Sequence, residues 1–194
     1  MASPSCRRLS GILGAFHPST PLPTSRHTLE PHPMDFSTPS RIRSTCASGQ
    51  AEMLADEITK LGYIVTAHDA TGVEIQGSLH DAMRLNLQSR IAMRVLSLIE
   101  TFPCDSPDQL AQSASEIAWE MIVPAGGYLS ITSTIRHPSI DNTMFANLRL
   151  KDAVVDRIRS VHGRRPDSGP LRTGTVIHLH WHGNTAQVWV DTSG

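Results

Sequence analysis

The sequence predicts an α+β protein made of two small units in succession, and three observations carry that prediction. Between residues 41 and 103, short β-type runs alternate with amphipathic stretches in the order β-α-β-β-α-β. Residues 104 to 194 restart with a proline-capped helix, then carry one long helix and two terminal β runs. Ahead of both, Pro4, Pro18, Pro21, Pro23, Pro31, Pro33 and Pro39 stand among serines and threonines with no sustained apolar period. Residues 1 to 40 are therefore expected to be a disordered extension.

That extension has an arginine-rich, acid-poor composition, as transit peptides do, but its prolines would interrupt the amphipathic helix such peptides need. Met34 is an alternative start. Arg41 to Cys46 reads as a short first strand. Ala51, Leu54, Ala55, Ile58 and Leu61 then recur at helical spacing, so Gln50 to Leu61 is a helix that Gly62 ends. Tyr63 to Thr66 and Val73 to Gln76 form a hairpin around the turn-rich stretch from Ala67 to Gly72. Ser78 caps a second helix whose apolar stripe is Leu79, Ala82, Met83 and Leu87. Met93 to Phe102 is the fourth strand, with Pro103 as its stop. This element order is that of the ferredoxin-like fold, two helices on one face of a four-stranded antiparallel sheet.

The second unit opens with Ser106 as a cap and Pro107 in the first turn of a helix bearing Leu110, Ala111, Ala114 and Ile117; Trp119, Met121 and Ile122 extend its apolar surface. Tyr128 to Ile135 alternates as a half-buried strand, entered through a turn at Gly126 and Gly127 and ended by Pro138. Asp141 or Asn142 caps the longest helix, about Thr143 to His162, with Phe145, Leu148, Val155 and Ile158 on its apolar face and Gly163 as its stop. On its outer face Arg149, Asp152, Asp156 and Arg159 are spaced to pair with one another. Thr175 to His182 and Ala186 to Asp191 close the chain as a hairpin.

Net charge is −1, but blocks 1–45, 46–129 and 130–194 carry +3, −7 and +3. A polyanion is drawn to the last block and repelled by the middle one. No apolar run approaches the roughly 18 residues needed to span a bilayer, which excludes membrane insertion by a helix. Cys6, Cys46 and Cys104 are far apart and form no C-x-x-C pair, as expected of a reduced, cytoplasmic protein. His178, His180 and His182 alternate with Ile177, Leu179 and Trp181, which places the histidines on a polar, outward face. Steps of almost 7 Å between them keep the three from converging on one metal ion.

The segment Asn147 to Asp156, the pair Arg165-Pro166 and the stretch Val188 to Gly194 resemble a THUMP domain. Thr45 to Gly49 with Glu52, Gly72-Val73 and the helix from Asp81 to Asn86 extend the resemblance to residues 41–194. It points to the bacterial methyltransferases that modify a guanine exocyclic amine of large-subunit (23S) ribosomal RNA. The resemblance implies a ferredoxin-like domain over 41–103 and a THUMP RNA-binding domain over 104–194. It implies ribosomal RNA as partner, and not DNA or membrane. Arg136, Asn142, Arg149, Lys151, Arg164 and Arg165 are the candidate RNA-contacting residues, strung before, along and after the long helix. Pairing on the helix surface explains Arg149 equally well, and Lys151 covers apolar surface with its stem.

Two departures weaken that assignment: Asp141 stands where the family places an arginine, and the loop after Pro166 is short. Neither an S-adenosylmethionine site nor an Asn/Asp-Pro-Pro-Tyr loop is present in the sequence. The expectation is a chain without catalytic residues or a cofactor of its own, delivering RNA to a methyltransferase domain in cis or in trans that uses S-adenosylmethionine. The alternative is a degenerate fragment that contacts proteins rather than RNA.

Overall fold

In the computed structural model, described over residues 37–138, 140 and 142–194, the two units share a single eight-stranded sheet. The expectation of a disordered extension falls almost wholly outside these residues, as does the assignment of Asp141 as a cap. The first unit comprises β1 (Ser40–Thr45), α1 (Ala51–Lys60), β2 (Val65–Asp69), β3 (Gly72–Gly77), α2 (Leu79–Gln88) and β4 (Arg94–Pro103). Its strands lie in the order β2-β3-β1-β4, all antiparallel, the ferredoxin-like arrangement. The second unit comprises α3 (Pro107–Glu116), a 3₁₀ turn (Trp119–Met121), β5 (Tyr128–Arg136), α4 (Thr143–His162), β6 (Asp167–Ser168), β7 (Thr175–His182) and β8 (Thr185–Asp191). There β5 runs parallel to both β6 and β7, while β7 and β8 form the terminal hairpin.

Local chemistry sets the helix ends. The Ser78 side chain accepts from the Asp81 N–H while the Asp81 carboxylate accepts from the Ser78 N–H, a reciprocal capping box. Ser106 caps α3 ahead of Pro107, and Gly163 ends α4 at φ 67°, a conformation that favours glycine.

Two apolar clusters lie under the sheet. Leu54, Ile58, Ala82 and Leu85 pack on Ile42, Val73, Ile75 and Val95. Leu110, Leu150, Val154 and Ile158 pack with Ile177, Leu179, Trp181 and Val188. The buried Trp181 donates its Nε1–H to the carbonyls of Cys104 and Gly183, each at 3.0 Å, which satisfies its polar edge. Pairing runs from Ile42 through Ser97 and Val190 to Ile177 and Ile131, and residues paired across strands share a face. All four helices therefore cover the same side of the sheet, and the other side carries no helix.

The join between the units is antiparallel pairing of β4 with β8, from Leu96 opposite Asp191 to Pro103 opposite Thr185, with a register shift between Leu98 and Glu100. Val95 of β4 belongs to the first core and Phe102 to the second, so one strand serves both. Residues after β8 stitch the join further. Thr192 donates its N–H and its hydroxyl to the Val95 carbonyl, Ser193 Oγ accepts the Val95 N–H at 2.7 Å, and Asn86 donates to Thr192.

Several sequence expectations are corrected. Met83 and Leu87 are exposed, and Leu85 takes the buried position on α2. On α4, Phe145 and Leu148 are half exposed, while Ala146, Leu150 and Val154 join Val155 and Ile158 inside. The apolar residues of both helices fit two stripes, and the sheet selects one. Strand β2 runs from Val65 to Asp69, later than Tyr63 to Thr66, so the hairpin turn is only Ala70-Thr71. Pro103 lies within β4 at its last position, where its missing N–H costs least.

Candidate nucleic-acid interface

The six sequence candidates separate on the fold. Asn142 accepts the Met144 N–H at 2.9 Å and so serves as the cap of α4. Arg149 pairs with Asp108 of α3, which ties the two helices together. Lys151 sits 3.3 Å from Asp152, and Arg165 reaches Asp156 at 3.8 Å. The expected ladder of Arg149, Asp152, Asp156 and Arg159 along α4 is thus replaced by pairs to other partners. Arg164 lies beside Gly126 without a carboxylate partner among the described residues, and Arg136 ends β5 on the opposite face of the sheet.

Arg136 opens onto a groove of about 640 Å³ across the helix-free face. The register explains what gathers there. Arg43 pairs with Leu96, Leu96 with Asp191, Trp189 with His178 and His178 with Thr132, so one face of β1, β4, β8, β7 and β5 supplies the lining. Buried Leu96, Val176 and Trp189 form its apolar part.

The groove's charges divide into spent and free. Arg43 donates to Asp69 at 2.7 Å and to Glu74 at 3.1 Å, and Arg94 pairs with Asp191 across the join. Burial pushes the Asp69 carboxyl up, but donation from the Thr71 N–H and hydroxyl and from Arg43 outweighs it and holds the group at about 2. Arg136 and Arg172 have no carboxylate partner among the described residues. Between them lies a neutral polar strip in which His178 Nδ1 is 2.9 Å from Thr132 Oγ1 and His178 Nε2 is 3.4 Å from Thr134 Oγ1. Burial, then the neighbouring His180 and the cations Arg172 and Arg43, hold the His178 imidazole down at about 4 despite the pull of Asp191.

The expectation of three solvent-facing histidines is corrected for one of them: His178 is half-buried in the groove, whereas His180 and His182 are exposed. Among the described residues no group of three or more His, Cys, Asp or Glu is placed to hold a metal ion, and no helix is long and apolar enough to cross a membrane.

Comparison with known proteins places these parts. The family model described as the RlmL ferredoxin-like domain matches residues 41–96, and the THUMP domain model matches residues 104–191. Residues 41–96 belong to the RlmL ferredoxin-like domain family and residues 104–191 to the THUMP domain family. Curated relatives named ribosomal RNA large subunit methyltransferase K/L agree. That of Syntrophotalea carbinolica is 36% identical over 156 residues, which is 80% of this chain and 22% of the relative. That of Pseudomonas aeruginosa is 35% identical over 150 residues, covering 77% and 21%. The chain thus spans about a fifth of the length of the curated relatives it matches. Solved structures share the fold. A predicted N6-adenine-specific DNA methylase from Listeria monocytogenes superposes with TM-score 0.69 at 22% identity, over 81% of this chain and 41% of that one. TrmN from Thermus thermophilus gives 0.62 at 15% identity, over 79% and 46%.

Against this frame, the α4 candidates lie on the helix side of the THUMP domain and the groove lies on the other side of the sheet, with walls from both domains. Arg43, Arg94 and Arg172 were not among the sequence candidates. They come from segments far apart in the chain, and only the alternating histidines of β7 signalled that face.

Proposed function

We propose that this chain is the RNA-binding module of a ribosomal RNA methyltransferase. It holds 23S ribosomal RNA by shape and backbone contacts so that a guanine reaches an S-adenosylmethionine-dependent catalytic domain outside these residues. The observation that carries this reading is the succession of the RlmL-type ferredoxin-like domain and the THUMP domain, matched in that order by relatives named for ribosomal RNA methylation. The free cations Arg136, Arg164 and Arg172 support it, because phosphate contacts are made by Lys and Arg that release condensed counterions.

A gel shift with a large-subunit ribosomal RNA fragment tests the reading. Affinity is expected to fall steeply between about 50 and about 200 mM salt, with no methyl transfer by the chain alone. Charge reversal of Arg164 and Arg165 is expected to weaken binding. The competing reading, a protein-contacting module, draws on the internal pairing of Arg149, Lys151 and Arg165. Salt-independent affinity together with indifference to charge reversal would favour it.

A further inference from the structure

The groove on the helix-free face has features that a general RNA-binding surface does not need. Its volume of about 640 Å³ is that of a small-molecule pocket, roughly 300–1,000 Å³, a space that a few nucleotides fill. Of its four arginines, Arg43 and Arg94 are neutralised by Asp69, Glu74 and Asp191 on the ferredoxin-like side, leaving the free charge at Arg136 and Arg172. The strip between them is neutral and hydrogen-bonding. A half-buried imidazole held in its uncharged form and two threonine hydroxyls offer donors and acceptors to a base edge, and buried Trp189 and Val176 exclude water behind them. Cationic walls around a neutral polar floor match a single strand, whose phosphates and unstacked bases separate in space.

We propose that this groove is a seat for a single-stranded RNA segment, with Arg136 and Arg172 taking phosphates and the Thr132, Thr134 and His178 side chains meeting the edge of an unstacked base. The proposal rests on the RNA-binding reading above but assigns the contact to the face opposite α4. It makes the β4–β8 join part of the binding surface, because the groove exists only while β1, β4, β8, β7 and β5 form one sheet. The floor separates this occupant from an acidic peptide: its hydroxyls and neutral imidazole offer donors and acceptors to a base edge, whereas a carboxylate would find no charge there.

Fluorescence anisotropy with the 194-residue chain tests it, using a labelled single-stranded oligonucleotide from the ribosomal RNA fragment and the same sequence annealed as a duplex. Arg136→Ala and Arg172→Ala are each expected to weaken strand binding roughly tenfold and to reduce the salt slope by about 0.7. Arg136→Lys and Arg172→Lys, which keep the charge, should recover most of the loss. Thr132→Val should change preference among homopolymer strands more than it changes the salt slope. Lys60→Ala, in the exposed last turn of α1 on the helix side, should leave strand binding close to wild type; circular dichroism melts confirm that all variants fold. Wild-type affinity of both groove alanine variants for bound RNA overturns the proposal while the RNA-binding reading stands. Duplex bound more tightly than strand, or poly-glutamate competing as well as the strand at equal charge, also overturns it. If the chain binds no RNA at all, the broader reading fails and the proposal fails with it.

Discussion

At the residue scale, His178 links the groove to stability. Its folded pKa of about 4 lies below the ordinary value of about 6.5, so the unfolded chain binds more protons between those limits. Stability is therefore full above about pH 6.5 and falls as the pH drops toward 4, by on the order of 2 kcal/mol for a partly exposed site. His178→Gln should remove this component. Thermal melts at about pH 7 and about pH 5 should show a smaller gap in the variant, and an unchanged gap would mean that other groups carry the acid sensitivity. The sequence announced this histidine by its alternation with Ile177, Leu179 and Trp181. It could not announce the desolvation, which arises only once β7 is paired beside β5 in the folded sheet. The same division applies to the cations: Arg136 was legible as the residue just after a strand, which in the structure it ends, but the carboxylates that neutralise Arg149 and Arg165 are set by packing.

At the element scale, features written within a few residues were the readable ones. Ser78 with Asp81, Ser106 with Pro107 and Gly163 each mark a helix end through chemistry complete in one turn. Helix orientation was less readable, because Met83, Leu87, Phe145 and Leu148 are apolar yet point away from the sheet. Strand β6 was missed because two residues carry no period, and only the parallel partner Tyr128-Leu129 defines it. A neighbouring glycine supplies a sharp test of this corner. A Cβ on Gly174 would fall 2.2 Å from the Tyr128 carbonyl oxygen, a backbone atom that cannot move aside without shifting the start of β5. Gly174→Ala is expected to destabilise the fold by about 1–3 kcal/mol, read by urea denaturation. A midpoint equal to wild type would show that the loop entering β7 yields at little cost.

At the scale of the whole molecule, two cores hang from one sheet, and β4 contributes Val95 to the first and Phe102 to the second. Unfolding is therefore expected as one transition, with calorimetric and van't Hoff enthalpies equal. Thr192→Ala combined with Asn86→Ala removes hydrogen bonds that span the join, and should split or broaden the transition; a single sharp transition at the wild-type temperature would assign the coupling to β4–β8 pairing alone. Composition and periodicity revealed two units but not their fusion, since pairing between distant strands leaves no local signature. That distance also has a consequence during synthesis. Strand β4 ends at Pro103 and its partner β8 begins at Thr185, about 80 residues or roughly 4–16 s of translation later. Throughout that interval the nascent first domain presents β4 as an open edge, which a neighbouring chain could extend. The irregularity between Leu98 and Glu100, the charge of Glu100 and the terminal Pro103 are the devices by which such an edge resists a stranger, and they stand on the strand that must wait longest for its mate.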